Sequence, residues 1–421
     1  MSRHRPAILL VDPVRGGKHL KSAARDLGLL VASVYTLRYS VEIPAHDAGD
    51  DVSLYSADLN EIERQVSARG LDVKAVVPAM EGAVQLADLI AERLSLPGND
   101  PALASARRNK AAMRERARAT GLRIPEYRVV RTTADVLDAV HQLGFPAIVK
   151  PTMGACSQGV TVLPDADALG RLDELATHDM FNMPIVEWLV ERYVRGREFA
   201  VNFYSSDGDH RLVDIWQYRQ PDDRDYDFPV WETVQIDETD VDFERVDRYV
   251  RRVLDAFGVR LGPSHTEVKC NDDGVYLIEI GARLPGGPAP EMWANHGKGF
   301  RPYHDAIECY LGRRPAVMDR APEFDSRFGS AAIRNEDVPG TLKAVHGIEE
   351  LNGLPGIEKV MVECSPGDHI PLTRDSLNIP VSVFVTGPDT SAVIATLASV
   401  RALVTLETEP VPGTVAPAVR A

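Results

Sequence analysis

The sequence lacks the features that mark secreted, disulfide-bonded and membrane-spanning proteins. No apolar run approaches the ~20 residues that cross a bilayer, and the run after the basic N-terminus stops at Asp12, too early for a signal peptide. The four cysteines lie far apart and form no CxxC pair: Cys156, Cys270, Cys309 and Cys364. We therefore expect reduced thiols in a cytoplasmic protein without a membrane partner.

A net positive charge and an abundance of aromatic residues are also missing. Lysine and arginine number 47 against 62 aspartate and glutamate, a formal charge of −15, and aromatic residues make up 6% of the chain. A nucleic-acid backbone needs a cationic face and base stacking needs aromatic rings, so the composition argues against a nucleic-acid partner. Only nine of the basic residues are lysines. A lysine in an apolar context is therefore more informative here than usual.

What is present is an alternation of strands and helices. At 421 residues the chain is long enough for about three domains. In the first hundred residues, apolar strands at 7–11, 29–35 and 73–78 alternate with helical patterns that end near residue 27 and span 60–69 and 82–94. This alternation predicts a parallel, doubly wound sheet. Gly16-Gly17 is interpreted as a tight turn, because the GxGxxG fingerprint of dinucleotide-binding sites is absent.

Two predicted strands, 264–270 and 275–280, form a hairpin across the turn-rich residues 271–274. Pairing of residues 271 and 275 predicts the cross-strand partners Glu267 with Glu279, Val268 with Ile278 and His265 with Gly281. The even-numbered residues then form the apolar face. Two opposed carboxylates repel each other unless a proton or a cation lies between them, and oxygen ligands suit Mg²⁺. The alternative is a solvated face with Lys269 as neighbour.

Two further segments carry residue types suited to a nucleotide. A strand ends at Lys150 and is followed by a loop of small residues, 151–159, which lets backbone N–H groups approach phosphate, although the Walker A pattern is absent. Another strand ends at Glu191, and Glu198 begins the next one. Backbone groups at 192–194 suit an adenine edge and the second carboxylate suits ribose, unless this is an ordinary hairpin.

The fourth segment follows the hairpin directly. Arg283 lies four residues beyond Glu279, and Gly286 and Gly287 expose backbone donors that suit a carboxylate or a phosphate. Along the chain, the segment of Lys150 therefore comes first and the segment of Glu191 and Glu198 second. The paired carboxylates of the hairpin are third, and Arg283 with its glycine turn is last.

These four segments, in this order, resemble the ATP-grasp superfamily. The sequence is most similar to L-amino-acid ligases and related dipeptide-forming enzymes, through residues 262–267 (GPSHTE), residues 282–287 (ARLPGG) and a small C-terminal domain. The resemblance is nearly full length. It implies an ATP-dependent ligase that joins small-molecule carboxylate and amine substrates, amino acids above all, through an acyl phosphate and releases ADP and phosphate.

The resemblance also implies a role for each matching residue. The ATP-binding set is Lys110, Lys150, Gly154, Ser157, Gly159, Glu191, Tyr193, Val194 and Glu198. Glu267 and Glu279 match the carboxylates that hold Mg²⁺ or Mn²⁺. The implied catalytic residues are Arg283, Lys150 and His265, and the implied substrate-binding residues are His265, Arg283, Gly286 and Gly287.

The implied fold is ATP-grasp, with mixed α/β and α+β content. We expect an N-terminal Rossmann-like domain at 1–105, two subdomains that clasp ATP at 106–185 and 186–314, the second with the metal site, and a C-terminal α+β domain at 315–421. A homodimer is common in the group that the chain resembles.

Two positions depart from the pattern of the superfamily. Many members have asparagine as a metal ligand where this chain has Gly281, and the phosphate loop has Ala155-Cys156 where glycine and serine are common. The alternatives to an amino-acid ligase are a purine-biosynthesis or biotin-carboxylase-type ligase and a nucleotide-binding protein without turnover. The paired carboxylates argue against the last of these.

Overall fold

The computed structural model describes residues 5–36, 49–179, 183–220, 231–336 and 338–410. They form two compact units, each discontinuous in sequence. The first comprises Met1–Pro125, Ala200–Asp214 and Glu244–Phe324, and the second comprises Glu126–Phe199, Ile215–Phe243 and Asp325–Ala421. Of the helices in the described ranges, none is both long and apolar enough to span a bilayer. The division into four domains stays a prediction.

The strands are β1 (Pro6–Val11), β2 (Leu30–Tyr35), β3 (Val52–Tyr55), β4 (Asp72–Pro78), β5 (Tyr127–Val130), β6 (Ala147–Pro151), β7 (Thr161–Leu163), β8 (Trp188–Arg192), β9 (Arg197–Ser206), β10 (Asp209–Arg219), β11 (Glu232–Ile236), β12 (Gly262–Asn271), β13 (Gly274–Gly281), β14 (Arg327–Ile333), β15 (Gly340–His346), β16 (Ile357–Val362), β17 (His369–Ile370), β18 (Val381–Gly387) and β19 (Thr405–Pro410). The α-helices are α1 (His19–Asp26), α2 (Leu59–Ala68), α3 (Val84–Arg93), α4 (Lys110–Ala119), α5 (Thr133–Leu143), α6 (Phe243–Ala256), α7 (Ala289–His296), α8 (Pro302–Tyr310), α9 (Ala316–Asp319) and α10 (Thr390–Leu403).

The first unit begins with the doubly wound sheet that the sequence predicts. Its four strands are parallel in the order β3-β2-β1-β4. Successive residues of β1 point to opposite faces, so Ile8 packs with α1 and α8 while Leu9 packs with α2 and α3. Helices therefore cover both faces of the sheet and bury its two central strands, β1 and β2.

The first unit also holds the hairpin of β12 and β13, with strand order β13-β12-β9-β10. From β9 and β10 this unit takes residues 200–206 and 209–214. Between Ser264 and Val268, residues on β12 alternate between buried and partly exposed, so His265 and Glu267 share the partly exposed face of the strand.

The second unit contains three sheets or parts of sheets. One has the order β5-β8-β6-β7 and packs against α5, and a second has the order β10-β11-β14-β18-β16 and packs against α10. The third is β17-β15-β19. The C-terminal part is therefore α+β, as the sequence predicts.

Several local predictions were wrong. The segment 315–322, which begins and ends with proline, predicts a linker but contains α9. Residues 165–176 have a helical pattern in the sequence and form a helix of the 3₁₀ type over Ala166–Glu174. Strands β15 and β19 carry polar residues at alternate positions and were not predicted. The acidic stretch 220–241 has no clear period and predicts a long loop, but it contains β11, while residues 221–230 lie outside the described residues.

Candidate active site

The hairpin of the first unit presents two carboxylates from directly opposed positions. Glu267 pairs with Glu279 and His265 pairs with Gly281, as the sequence predicts. Thr266, between His265 and Glu267, is fully buried. The alternation along the strand therefore places the histidine and the glutamate together on the accessible face.

Towards the turn the register differs from the predicted one. Val268 pairs with Leu277 rather than with Ile278, and Asn271 pairs with Gly274, so the loop has two residues instead of three. The hairpin thus contains an irregularity between the carboxylate pair and the turn.

The irregularity is a β-bulge with Ile278 as the extra residue. The carbonyl of Ile278 accepts a hydrogen bond from Arg114 Nη2 at 2.8 Å, which satisfies a group that the bulge removes from the ladder. The bulge shifts the alternation along β13. Val275 and Leu277 are therefore buried where residues 276 and 278 were expected.

Lys110 brings a cation to the carboxylate pair. It is the first residue of α4, and Asn109 caps this helix by accepting a hydrogen bond from the Ala112 N–H. Lys110 Nζ donates to Glu279 Oε1 at 2.7 Å. The predicted phosphate-binding lysine and a predicted metal carboxylate therefore lie in contact within this unit.

Glu81 joins the same cluster, although it belongs to none of the four sequence segments. It lies three residues after the end of β4. The carboxyl ends of parallel strands are where α/β sheets bind ligands, and this position is the sequence signal that identifies Glu81. Arg283 Nε donates to Glu81 Oε2 at 2.6 Å. Burial alone raises the pKa of Glu81, but Arg283, Arg108 and Lys110 together hold this pKa below its usual value. The carboxylate is therefore ionised at neutral pH.

Glu81 also accounts for the glycine at position 281. A Cβ atom on Gly281 would lie 2.7 Å from Glu81 Oε2, closer than van der Waals contact allows. The other oxygen, Oε1, is buried and has no hydrogen-bond partner among the described residues. The carboxylate of Glu81 therefore occupies space that a side chain at 281, such as asparagine, would need.

The glycines after Arg283 leave their surroundings open. No described atom lies within 4 Å of a Cβ placed on Gly286 or on Gly287, and Gly287 has a φ of +66°. An open, left-handed turn of this kind exposes its backbone N–H groups, as the predicted substrate contact requires.

In the second unit, Lys150 and Glu191 form a buried ion pair. Lys150 is the penultimate residue of β6 and Glu191 lies on the neighbouring β8, and Lys150 Nζ is 2.6 Å from Glu191 Oε2. The side chains are 6% and 1% exposed. A predicted phosphate-binding lysine and a predicted adenine-side glutamate therefore meet in this unit.

The predicted phosphate-loop residues Gly154, Ser157 and Gly159 lie in the connection from β6 to β7. Gly159 has a φ of +70°, and a Cβ there would lie 3.0 Å from Pro151 Cγ. Both the conformation and the close packing therefore require glycine at this position.

Two non-glycine residues of this loop also adopt left-handed conformations. Cys156 has a φ of 58° and Ser157 a φ of 59°, a region that residues with a Cβ seldom occupy. The carbonyl of Cys156 accepts a hydrogen bond from the Ser376 N–H at 3.0 Å. The C-terminal part of the second unit thus contacts the loop, a contact that no sequence pattern indicates.

The connection from β8 to β9 carries the predicted adenine and ribose contacts. The N–H groups of Arg192 and Tyr193 donate to backbone carbonyls at 2.9 Å, so an adenine contact can use Val194 but not these two N–H groups. Arg197 stacks on Phe199 and binds two aspartates. Because neighbours on a strand point to opposite faces, Glu198 points away from that ion-pair network.

The donor set of the first unit fits a hard divalent cation bound together with a nucleotide. Within the ranges that the structure describes, no group of three or more His, Cys, Asp or Glu side chains could hold a metal ion. The opposed carboxylates of Glu267 and Glu279 offer oxygen ligands. Mg²⁺ is often held by one or two carboxylates, with phosphate oxygens and water as its other ligands.

The sequence matches two protein-family models and is similar to known proteins. Residues 143–290 match the family described as ATP-grasp domain, and residues 337–409 match L-amino acid ligase C-terminal domain 2. A dapdiamide A synthase from Enterobacter agglomerans is 26% identical over 424 residues, 94% of this chain and 96% of that one. An L-arginine-specific L-amino acid ligase from Bacillus subtilis is 24% identical over 268 residues, 62% of each chain.

The solved structures show the same architecture. The crystal structure of an L-amino acid ligase from Bacillus licheniformis has a TM-score of 0.76 over 96% of this chain and 99% of that one, at 19% identity. An N5-carboxyaminoimidazole ribonucleotide synthetase from Thermotoga maritima has a TM-score of 0.67 at 15% identity. At these identities the likeness establishes the fold, which is ATP-grasp.

Proposed function

The chain belongs to the ATP-grasp superfamily and carries the C-terminal domain of L-amino acid ligases, and from this premise we propose that it joins two amino acids in a peptide bond. The carboxylate of one amino acid attacks the γ-phosphate of ATP to give an acyl phosphate and ADP. The amine of the other then attacks the acyl carbon and phosphate leaves. The names of two relatives, a dapdiamide A synthase and an L-arginine-specific ligase, support substrates derived from amino acids.

The observation that carries this proposal is the contact of Lys110 with one of two opposed glutamates. A protein that only binds a nucleotide has little need to hold two carboxylates side by side. A ligase needs them because negative charge must be offset while the phosphoryl group moves, and positioning with electrostatics supplies most of that catalysis.

The same proposal assigns the remaining residues. In the first unit, Glu267 and Glu279 hold Mg²⁺, which offsets phosphate charge when bound. Arg283 stabilises the transferred phosphoryl group, and Glu81 orients the Arg283 side chain. Substrate binding falls to His265 and to the backbone at Gly286 and Gly287. In the second unit, the nucleotide-binding set is Lys150, Gly154, Ser157, Gly159, Glu191, Tyr193, Val194 and Glu198.

An ADP-release assay with Mg²⁺-ATP and pairs of amino acids tests the proposal. We expect ADP and phosphate in equal amounts, together with a product whose mass equals the two amino acids minus water. Glu279→Gln serves as the inactive control, since it removes a charged ligand. AMP and pyrophosphate as the stoichiometric products would refute the acyl-phosphate route.

A further inference from the structure

A chain of hydrogen-bonded side chains runs across three neighbouring strands of the first unit and ends at His265. His265 lies on β12, Asn202 on β9 and Asp214 on β10, which are adjacent in the strand order. His265 Nδ1 lies 2.8 Å from Asn202 Oδ1, and Asn202 Nδ2 lies 2.7 Å from Asp214 Oδ1. Trp293 Nε1 lies 2.8 Å from Asp214 Oδ2.

The direction of each hydrogen bond follows from the far end of this chain. Trp293 is fully buried, and its indole N–H can only donate, so it fixes Asp214 Oδ2 as an acceptor. The other oxygen, Asp214 Oδ1, accepts from Asn202 Nδ2, so the amide of Asn202 turns its NH₂ group towards Asp214.

The amide of Asn202 is then left with its carbonyl oxygen facing the imidazole ring. An oxygen acceptor needs a donor opposite it, so His265 must carry its proton on Nδ1. In the neutral ring, this places a lone pair on Nε2. Asn202 and Asp214 are 2% and 5% exposed, so water does not compete for these bonds.

The Nε2 atom is aimed at the accessible face of the hairpin. It lies 3.7 Å from Glu267 Oε1, and the His265 side chain is 18% exposed. Two hydrogen-bond acceptors therefore lie next to each other. A group that binds here must donate hydrogen bonds, which suits an amine and disfavours a carboxylate.

We propose that Asp214 and Asn202 are positioning residues that hold His265 in the Nδ1–H tautomer, so that Nε2 accepts a hydrogen bond from the amine substrate. This assignment rests on the proposed function. It distinguishes the binding sites of the two amino acids, because the amino acid whose amine attacks the acyl phosphate contacts the acceptor His265 Nε2.

Asp214→Asn reverses the two hydrogen bonds between position 214 and His265 while keeping the size of the side chain. The new amide keeps its oxygen towards Trp293 and turns its NH₂ group towards Asn202. Asn202 must then present its oxygen to position 214 and its NH₂ group to the ring. His265 is forced to accept at Nδ1 and to carry its proton on Nε2, which points a donor at the amine.

Nitrogen NMR of ¹⁵N-histidine-labelled full-length protein reads the tautomer directly, with the His265 signals assigned by their loss in His265→Gln. We expect the proton on Nδ1 in wild type and on Nε2 in Asp214→Asn. Asp255→Asn is the matched control, since Asp255 faces a different histidine, His210, at 3.2 Å. It should leave the His265 signals unchanged.

The kinetic consequence should fall on one substrate. With an acid–amine pair found by the ADP assay, Asp214→Asn should raise KM for the amine roughly ten- to hundredfold and leave KM for the acid near wild type. Asp255→Asn should change neither KM.

Three outcomes would overturn the assignment. They are a proton on Nε2 in the wild-type protein, an unchanged tautomer in folded Asp214→Asn, and a metal-bound shift of Nε2 on adding Mg²⁺-ADP, which would give the lone pair to the cation. The wild-type spectrum alone shows whether the proton of His265 is on Nε2, so this outcome can be tested even if Asp214→Asn does not fold. A protein without ligase activity but with the expected tautomers would refute the proposed function and leave the hydrogen-bond chain intact.

Discussion

Each unit of the protein contains a lysine in contact with a glutamate, and the two pairs differ in burial rather than in distance. Lys110 Nζ is 2.7 Å from Glu279 Oε1, and Lys150 Nζ is 2.6 Å from Glu191 Oε2. Glu279 is 22% exposed, whereas Glu191 is 1% exposed. A buried charge that loses its partner cannot recover the lost interaction from water, while a partly exposed one recovers much of it.

The comparison separates two functions that a lysine–glutamate contact can serve. The pair in the second unit joins two adjacent strands of one sheet, so it contributes to folding whatever else it binds. The pair in the first unit faces a second carboxylate, Glu267, on an accessible surface. A charged ligand that binds at this surface can therefore change the electrostatic energy of the Lys110–Glu279 pair.

The largest effect is expected for Lys150→Met, which leaves the Glu191 carboxylate buried without its cation. Removing one partner of a buried ion pair costs about 3–5 kcal/mol. Urea denaturation should show this loss in the free energy of unfolding, and Lys150→Met with Glu191→Leu should recover most of it.

Lys74→Met is the control for a lysine ion pair that is exposed. Lys74 contacts Asp72 at 2.6 Å, but their side chains are 48% and 40% exposed, so its loss should cost less than about 1 kcal/mol. If Lys150→Met were as mild as this control, the pair in the second unit would not be sealed from water and the comparison would fail.

A second experiment tests how tightly the accessible face of the first unit is packed around Glu81. Gly281→Ala places a methyl group 2.7 Å from Glu81 Oε2, whereas Gly286→Ala meets no described atom within 4 Å. Overpacking typically costs about 1–3 kcal/mol. Thermal unfolding should therefore show a lower Tm for Gly281→Ala and a nearly unchanged Tm for Gly286→Ala. Equal Tm values would mean that Glu81 moves aside without cost.

Much of this architecture could be predicted because local patterns determine it. The strand–helix alternation of the first hundred residues follows from hydrophobic periodicity. The opposition of Glu267 and Glu279 was predicted correctly although the turn was not, because the shorter loop and the extra residue of the bulge offset each other. The bulge at Ile278 could not be predicted, because it depends on Arg114, which lies far away in sequence. Contacts such as Lys110 with Glu279, or Glu81 with Arg283, likewise arise only after the strands and helices have packed.

The smallest effect concerns the stability of the Lys110–Glu279 pair without nucleotide or metal. From the hairpin alone, Glu279→Gln should be neutral or stabilising, because it removes a repulsion of about 0.5–1 kcal/mol with Glu267. The contact with Lys110 reverses this sign, because a hydrogen bond between charged groups contributes about 1.5–3 kcal/mol. The two effects oppose each other, and a net destabilisation of about 1 kcal/mol is expected.

A double-mutant cycle with Lys110→Met and Glu279→Gln, measured by urea denaturation in EDTA, isolates the pair. Its coupling energy should be about 1–2 kcal/mol, and the cycle of Lys150→Met and Glu191→Leu should give a larger value. Mg²⁺-ATP should then raise the Tm of Glu279→Gln less than that of wild type, since a ligand stabilises in proportion to its binding. A coupling as large in the first unit as in the second, with an unchanged response to Mg²⁺-ATP, would make Lys110–Glu279 a structural ion pair and would remove Glu279 from the proposed metal site.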